Sequence, residues 1–366
     1  MKGLILSITA GQGHNQTAKV ISECFVEKGI ECPYMDVFDY INPLLSDSVS
    51  HIYLMSTKNL PKIYGKIYRM CENRPGDELH GLPKVTNQIL AKKLLTKIEE
   101  EKPDFIICTH VFAALLVTCL DGVMDEGIKT IGIVTDFTIH PYWEDTRLDY
   151  YVTPDRLLSG QAKRKGIDEA KLVPVGIPID PKFAKKFPRE QACAALGLPN
   201  KRTVLVMSGS MGFGDVASEI RALAQTDLDF QIVTICGNNK KLKKCIDKLE
   251  AEKKIFNYGF VDNVDVFMDC ADCIVTKPGG LTSSEALAKG IPMIISNPIP
   301  GQEDRNVEFL LNAGAAIKVS PTYPICDALL QMFDEPRMQL IKETIKTIGK
   351  PNSTADLIEF ITSKCR

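Results

Sequence analysis

IVTKPGGLTSSEALAKGIP, residues 274–292, decides how the rest of the chain is read. Its opening apolar run ends at Thr276 with the β-branched content of a buried strand, Pro278 and two glycines make a turn, and a helix opens near Leu281. Another apolar run, PMIIS, follows at once. The same alternation runs outward in both directions. Upstream lie RTVLVMSGS, DFQIVTICG and KIFNYG, each followed by a helical pattern, and downstream lies AAIKV. The first half repeats the scheme with GLILSI, DFIICT, TIGIVTD, DYYVT and KLVPVG. Strands alternating with helices in this way predict an α/β protein with parallel sheets covered on both faces. Prolines and charges interrupt the pattern around 177–201, and 366 residues exceed the usual span of one core. We therefore expect two doubly wound domains facing a central cleft: 1–178, a linker at 179–200, and 201–350. Residues 351–366 form a helix that packs back on the first domain.

Bulk composition narrows the function. A formal net charge of −2 argues against a nucleic-acid binder held by overall phosphate attraction. The 12 cysteines are scattered, and Cys270 with Cys273 forms a CxxC that has no second ligand pair for zinc. Reduced, structural thiols are expected. No charged and apolar leader precedes the first strand pattern, so the expected location is cytoplasmic. FIICTHVFAALLVTCL, 105–120, is too short for a membrane span and reads as a strand followed by a buried helix.

The turn at 278–280 brings free helix amides to the end of a strand, an arrangement suited to a diphosphate. Glu285, one turn in, is placed to accept hydrogen bonds from a ribose. A plain tight turn and a surface acid offsetting the helix dipole are the alternative readings. MSGSMGFGD, 207–215, is a second glycine-rich strand-to-helix turn without GxGxxG spacing. NPIPGQEDRN, 297–306, puts Gln302, Glu303 and Asn306 where amides and acids would read sugar hydroxyls, or else forms a polar loop. In FNYGFVDN, 256–263, the backbone of Gly259, Phe260 and Val261 would pair with a planar base edge, although simple aromatic burial also accounts for Phe260. Together these stretches describe a nucleotide-sugar site.

With GQGH at 11–14, VTDFTIHPYW at 134–143, GSMG, GF, KPGGLTSSEAL and PGQEDRN in this order, the chain resembles the monogalactosyldiacylglycerol synthase and processive diacylglycerol glucosyltransferase family, related to the enzyme that adds N-acetylglucosamine to lipid-linked peptidoglycan precursor. The resemblance covers nearly the whole chain. It implies a GT-B fold of two Rossmann-like domains, a UDP-sugar bound by the second and a lipid acceptor by the first, with inversion at the anomeric carbon and neither cofactor nor essential metal. Carried over by motif, Gly279, Gly280, Leu281 and Thr282 face the diphosphate with Ser210 and Met211 closing on it, Glu285 the ribose, Phe260 the uracil, and Gln302 and Glu303 the sugar, with Pro278 of the turn counted in the donor-binding set. Gln12 departs from the GGGH or GNGH of many relatives.

Inverting transfer needs a base for the acceptor hydroxyl. All five histidines fall at or before residue 140. His14, at a strand-to-helix junction with Gly11 and Gly13 permitting close approach, is the favoured base or acceptor-orienting group. A capping histidine and a phosphate-gripping loop are the alternatives. Asp136 and His140 compete for the role of base or of its partner. His110 lines the floor of an acceptor pocket or is a satisfied buried histidine, and Trp143 completes the acceptor set. STKNLPKIYGKIYRM, 56–70, mixes Lys58, Lys62, Lys66 and Arg69 with apolar and aromatic residues including Tyr64 and Tyr68. This suits an anionic membrane surface, or else a basic-edged segment packed on the first domain.

The expectation is a peripheral, inner-face hexosyltransferase moving glucose or galactose from a UDP-sugar to diacylglycerol. An N-acetylglucosaminyltransferase with a polyprenyl-linked acceptor and a non-catalytic nucleotide-sugar-binding module are the alternatives.

Overall fold

The computed structural model describes residues 1–9, 13–41, 84–207 and 215–365. They fall into two compact units, Met1–Asp180 with Asn352–Arg366, and Pro181–Pro351.

The first unit is built on strands β1 (Gly3–Ser7), β2 (Tyr34–Asp36), β3 (Phe105–Cys108), β4 (Lys129–Ile133), β5 (Tyr150–Val152) and β6 (Leu172–Val173). They form one parallel sheet in the order β2-β1-β3-β4-β5-β6. Every residue of GLILS in β1 and FIIC in β3 is buried, as expected for strands covered on both faces. Helix α1 (Gly13–Glu27) follows β1 and turns Ala18, Ile21 and Phe25 onto the sheet; helix α2 (Val111–Thr118) follows β3 and is buried along almost its whole length. Strand order reverses between β1 and β3. The loops leaving these two strands therefore diverge to opposite sides and leave a crevice at their carboxyl ends.

The second unit repeats the plan with β7 (Thr203–Met207), β8 (Gln231–Ile235), β9 (Ile255–Tyr258), β10 (Cys273–Thr276), β11 (Met293–Ile295) and β12 (Ala316–Lys318), all parallel, in the order β12-β11-β10-β7-β8-β9. Its reversal lies between β7 and β10. The helices that matter below are α3 (Arg189–Ala195), α4 (Val216–Ala224), α5 (Val264–Cys270), α6 (Gly280–Lys289) and α7 (Gln302–Asn312). The last helix, α8 (Ser353–Lys364), belongs to the first unit, where Leu357, Ile358 and Ile361 join the core with Ile21 and Phe25. Thr354 Oγ1 donates to the Ile179 carbonyl at 2.6 Å and holds the start of α8 in place.

Three sequence expectations are revised. Residues 181–200, read as linker, fold into the second unit: Arg189 pairs with Asp272 at 2.5 Å, the Phe187 amide donates to Asp269, and Ala192 and Cys193 are buried. Charges that looked like a solvated connector have partners. Cys270 is joined to Cys193 by a disulfide, against the expectation of thiols throughout, because α3 lies on α5 with the two Cα atoms 5.2 Å apart. Cys273 stays a thiol inside β10, where burial pushes its pKa up. Trp143, placed in the acceptor set, is 4% exposed. It packs over Gly132, where an added Cβ would come within 2.7 Å of its ring, and against Tyr151, so it is a core residue.

Candidate active site

At the reversal point of the first sheet, α1 begins at Gly13 and carries His14 in its first turn. A chain of hydrogen bonds fixes this junction. Ser7 Oγ donates to Asn15 Oδ1 at 2.5 Å, Asn15 Nδ2 to Thr9 Oγ1 at 2.7 Å, and the Thr9 hydroxyl and amide both to Asp36 Oδ2 at 2.6 Å. The missed strand β2 is what delivers Asp36.

His14 Nδ1 lies 2.7 Å from the Thr109 carbonyl at the end of β3 and 3.3 Å from Thr135 Oγ1. A carbonyl only accepts, so Nδ1 carries the proton and Nε2 presents its lone pair. Burial lowers the His14 pKa below its ordinary value, opposed by the Thr109 carbonyl and by Asp136. His110 and His140 have the opposite tautomer. Each caps a helical turn with Nδ1 accepting a backbone N–H, from Phe112 at 3.1 Å and from Tyr142 at 3.2 Å. In the neutral ring the proton is then on Nε2, which leaves no lone pair for abstracting another. Of the three imidazoles, His14 alone has the tautomer of a base. The His110 ring sits 4.5 Å from that of His14, centre to centre, and is buried, with its pKa pushed well below the ordinary range by burial first and by the neighbouring His14 and His140 second. Thr109, Thr135 and Asn15 were invisible to sequence reasoning, because a threonine just past a strand or an asparagine in a helix's first turn carries no chemical signal until the chain folds around it.

In the second unit, β10 ends at Thr276 and α6 starts at Gly280. Its N-cap is Gly279, at an ordinary φ of −66°, with no capping side chain. An added Cβ at Gly279 would meet nothing nearer than Glu303 Oε1 at 3.8 Å. Neither backbone nor neighbours demand glycine here. The Lys277–Glu303 pair borders this turn, and the first-turn amides and dipole of α6 favour an anion there by about 0.3–2 kcal/mol. Glu285 is half-buried one turn further on, and Leu281 and Thr282 are half-buried beside it.

Two residues expected to touch a sugar are instead engaged in shaping this turn. Asn306 is fully buried and donates from Nδ2 to the Pro278 carbonyl at 2.9 Å, so it holds the turn rather than reaching outward. Glu303 is 6% exposed; it pairs with Lys277 and accepts the Ile299 amide at 2.7 Å. Gln302, the first residue of α7, is half-buried. Lys277 and Glu219 were missed. Glu219 in α4 accepts from Ser296 Oγ and, at 3.0 Å, from Asn297, which ties α4 to the segment after β11. Burial raises its pKa. At the end of β9, Gly259 and Val261 flank Phe260, which is 72% exposed. That exposure rules out simple burial as the reason for an aromatic at this position.

Gly11, Ser210, Met211, Lys58, Lys62, Tyr64, Lys66, Tyr68 and Arg69 lie outside the described residues. Among the described residues no group of three or more His, Cys, Asp or Glu is placed to hold a metal ion, and no helix is long and apolar enough to cross a membrane.

The sequence profile of monogalactosyldiacylglycerol (MGDG) synthase matches residues 14–179, and that of glycosyl transferases group 1 matches 188–344. The processive diacylglycerol beta-glucosyltransferase of Bacillus subtilis (strain 168) is 30% identical over 371 residues, spanning 98% of this chain and 94% of the relative. The protein of the same name from Bacillus pumilus is 28% identical over 376 residues, spanning 99% and 95%. Among solved structures, MurG of Acinetobacter baumannii aligns with a TM-score of 0.66 at 14% identity over 99% of both chains, and Staphylococcus aureus MnaA with UDP gives 0.63 at 14% over 99% and 96%. The fold is thus that of the GT-B glycosyltransferases, two Rossmann-like units. With a full-length relative at this identity, the chain belongs to the monogalactosyldiacylglycerol synthase and processive diacylglycerol glucosyltransferase family.

Proposed function

We propose that the protein is a UDP-sugar-dependent hexosyltransferase that joins C1 of glucose or galactose to the hydroxyl of diacylglycerol with inversion. The observation that carries this reading is the near-complete alignment with a processive diacylglycerol beta-glucosyltransferase. The geometry supplies the chemistry. His14 Nε2 takes the acceptor hydroxyl's proton as the oxygen attacks C1 and the bond from C1 to the diphosphate oxygen breaks. The imidazolium so formed is held by the Thr109 carbonyl and by Asp136, which favour the charged ring. UDP leaves with its charge stabilised by the first-turn amides of Gly280, Leu281 and Thr282, which are already oriented and require no rearrangement as charge develops. Phe260 offers a face to uracil and Glu285 an acceptor to ribose hydroxyls. Because amides carry the leaving-group charge, no metal ion is required. The basic, aromatic segment 56–70 brings the protein to anionic lipid at the inner membrane face.

The test supplies UDP-glucose and UDP-galactose together to purified protein on vesicles containing diacylglycerol and anionic lipid, and in a second arm UDP-N-acetylglucosamine with a polyprenyl-linked acceptor, with lipid products read by mass spectrometry, with and without EDTA. A hexosyl-diacylglycerol formed equally in both conditions is expected. Transfer only from UDP-N-acetylglucosamine to a polyprenyl-linked acceptor, or UDP binding with no transfer, would overturn the reading, and loss of product with EDTA would overturn the metal-free step.

A further inference from the structure

One residue pair at the first reversal point does more than the proposed reaction has so far used. Thr109 is held from two directions. Its amide donates to the Leu6 carbonyl of β1 at 3.0 Å, and its carbonyl meets His14 Nδ1. The next residue, His110, starts α2: its extended backbone, at φ −135° and ψ 142°, turns the chain out of β3, and its Nδ1 caps the Phe112 amide. The direction of the Thr109 carbonyl is set by the residue that follows it, so the cap at His110 governs the bond that decides the His14 tautomer.

We propose that His110 is a positioning residue for His14: its cap aims the Thr109 carbonyl at Nδ1, and its neutral ring packs edge-on against the His14 ring and keeps Nε2 on the acceptor side. This rests on the reading of His14 as the base. His110 does not itself take the substrate proton, because its Nδ1 is committed to Phe112 and its Nε2 bears hydrogen. Protonating His110 would break the cap and set a second cation beside the ring that has to accept a proton. Among the described residues, the titratable groups facing the pair are Asp136, which favours a charged His14, and His140, which disfavours a charged His110. Thr135 and Phe112 also touch the pair and carry no charge.

Asparagine is a strong N-cap and phenylalanine is none, which separates the cap from the ring. The experiment compares wild type, His110→Asn, His110→Phe and His14→Ala for kcat and for KM toward UDP-glucose with diacylglycerol vesicles. In parallel, 15N-histidine NMR reports which nitrogen of His14 carries the proton, and thermal melts verify folding. The expected result is that His110→Phe lowers kcat by about a hundredfold with KM for UDP-glucose unchanged, and that its His14 signal shifts from Nδ1–H toward a tautomer mixture. His110→Asn recovers most of kcat and the Nδ1–H signal. If His110→Phe keeps both wild-type kcat and the Nδ1–H signal, or if His110→Asn loses as much kcat as His110→Phe, the proposal is wrong. Should His110→Phe not fold, the His110→Asn comparison with wild type still decides it. Full activity in His14→Ala would remove the base reading instead, an outcome distinguishable because the tautomer signal of the His110 variants is read without turnover.

Discussion

At His14 burial penalises the imidazolium while the Thr109 carbonyl and Asp136 favour it, and burial has the larger effect; at His110 burial and two neighbouring imidazoles all act in one direction. Both folded-state pKa values therefore lie below the ordinary ~6.5 of an exposed histidine. Between the lowered values and 6.5 the unfolded chain binds protons that the native state refuses. Stability then rises with pH and is lost as pH falls through about 6.5 and below. The buried His110 contributes at most about 1.4 kcal/mol per pH unit in that window. Urea midpoints at a series of pH values between neutral and mildly acid are expected to fall on acidification, and to fall less steeply in His110→Asn, which keeps a cap but cannot titrate. An unchanged slope in that variant would mean that His110 takes up protons alike in the native and unfolded states, against a lowered native pKa. The same shift keeps His14 neutral at pH 7, so as the proposed base it would need no deprotonation before accepting the acceptor's proton.

At the scale of the element, the strand–turn–helix units put the candidate residues at the strands' carboxyl ends, and the turn decides what can approach. Gly279 is the clearest case because its φ of −66° suits any residue and its surroundings leave an added Cβ at ordinary contact distance. Gly279→Ala is expected to leave the melting temperature within the scatter of surface substitutions, about 0.5 kcal/mol, while weakening UDP affinity severalfold or more. Isothermal titration with UDP beside a thermal melt checks both. A large stability loss with unchanged affinity would make the glycine structural. These units were legible because β-branched runs and Pro-Gly turns are local signals. Tyr34–Asp36 was not, since a short, half-exposed edge strand after Pro33 has neither the length nor the periodicity to stand out. Trp143 misled for a related reason: an aromatic in a loop after β4 looks available, but the turn at Pro141–Asp145 folds it back onto Gly132.

On the scale of the whole molecule, two parallel sheets each reverse strand order once, and His14, Thr109, His110 and the Gly279–Thr282 turn sit at the carboxyl ends of the strands that flank those reversals, where diverging loops leave backbone polar groups open to a ligand. The proposed attraction to a bilayer rests on the composition of segment 56–70, where each basic side chain near an anionic surface would contribute about 1 kcal/mol. Lys62→Ala with Lys66→Ala is expected to weaken binding to anionic vesicles by roughly thirtyfold, with neutral vesicles little affected. Sedimentation with vesicles of both compositions measures it, and equal binding by the double variant would place the membrane contact elsewhere.

The sequence by itself determined the two α/β units, the positions of nearly all strands along the chain, the glycine turn that opens α6 and the candidacy of His14, because hydrophobic periodicity and turn chemistry act between residues a few positions apart. Only the tertiary structure decided which nitrogen His14 offers, that Trp143 and Asn306 point inward, and that Cys193 meets Cys270. Those outcomes depend on partners 95 residues away for His14 and 77 for the cysteines, brought together by the packing of helices on sheets. A side chain's identity states what it can donate or accept; the neighbour supplied by the fold states which of those it does.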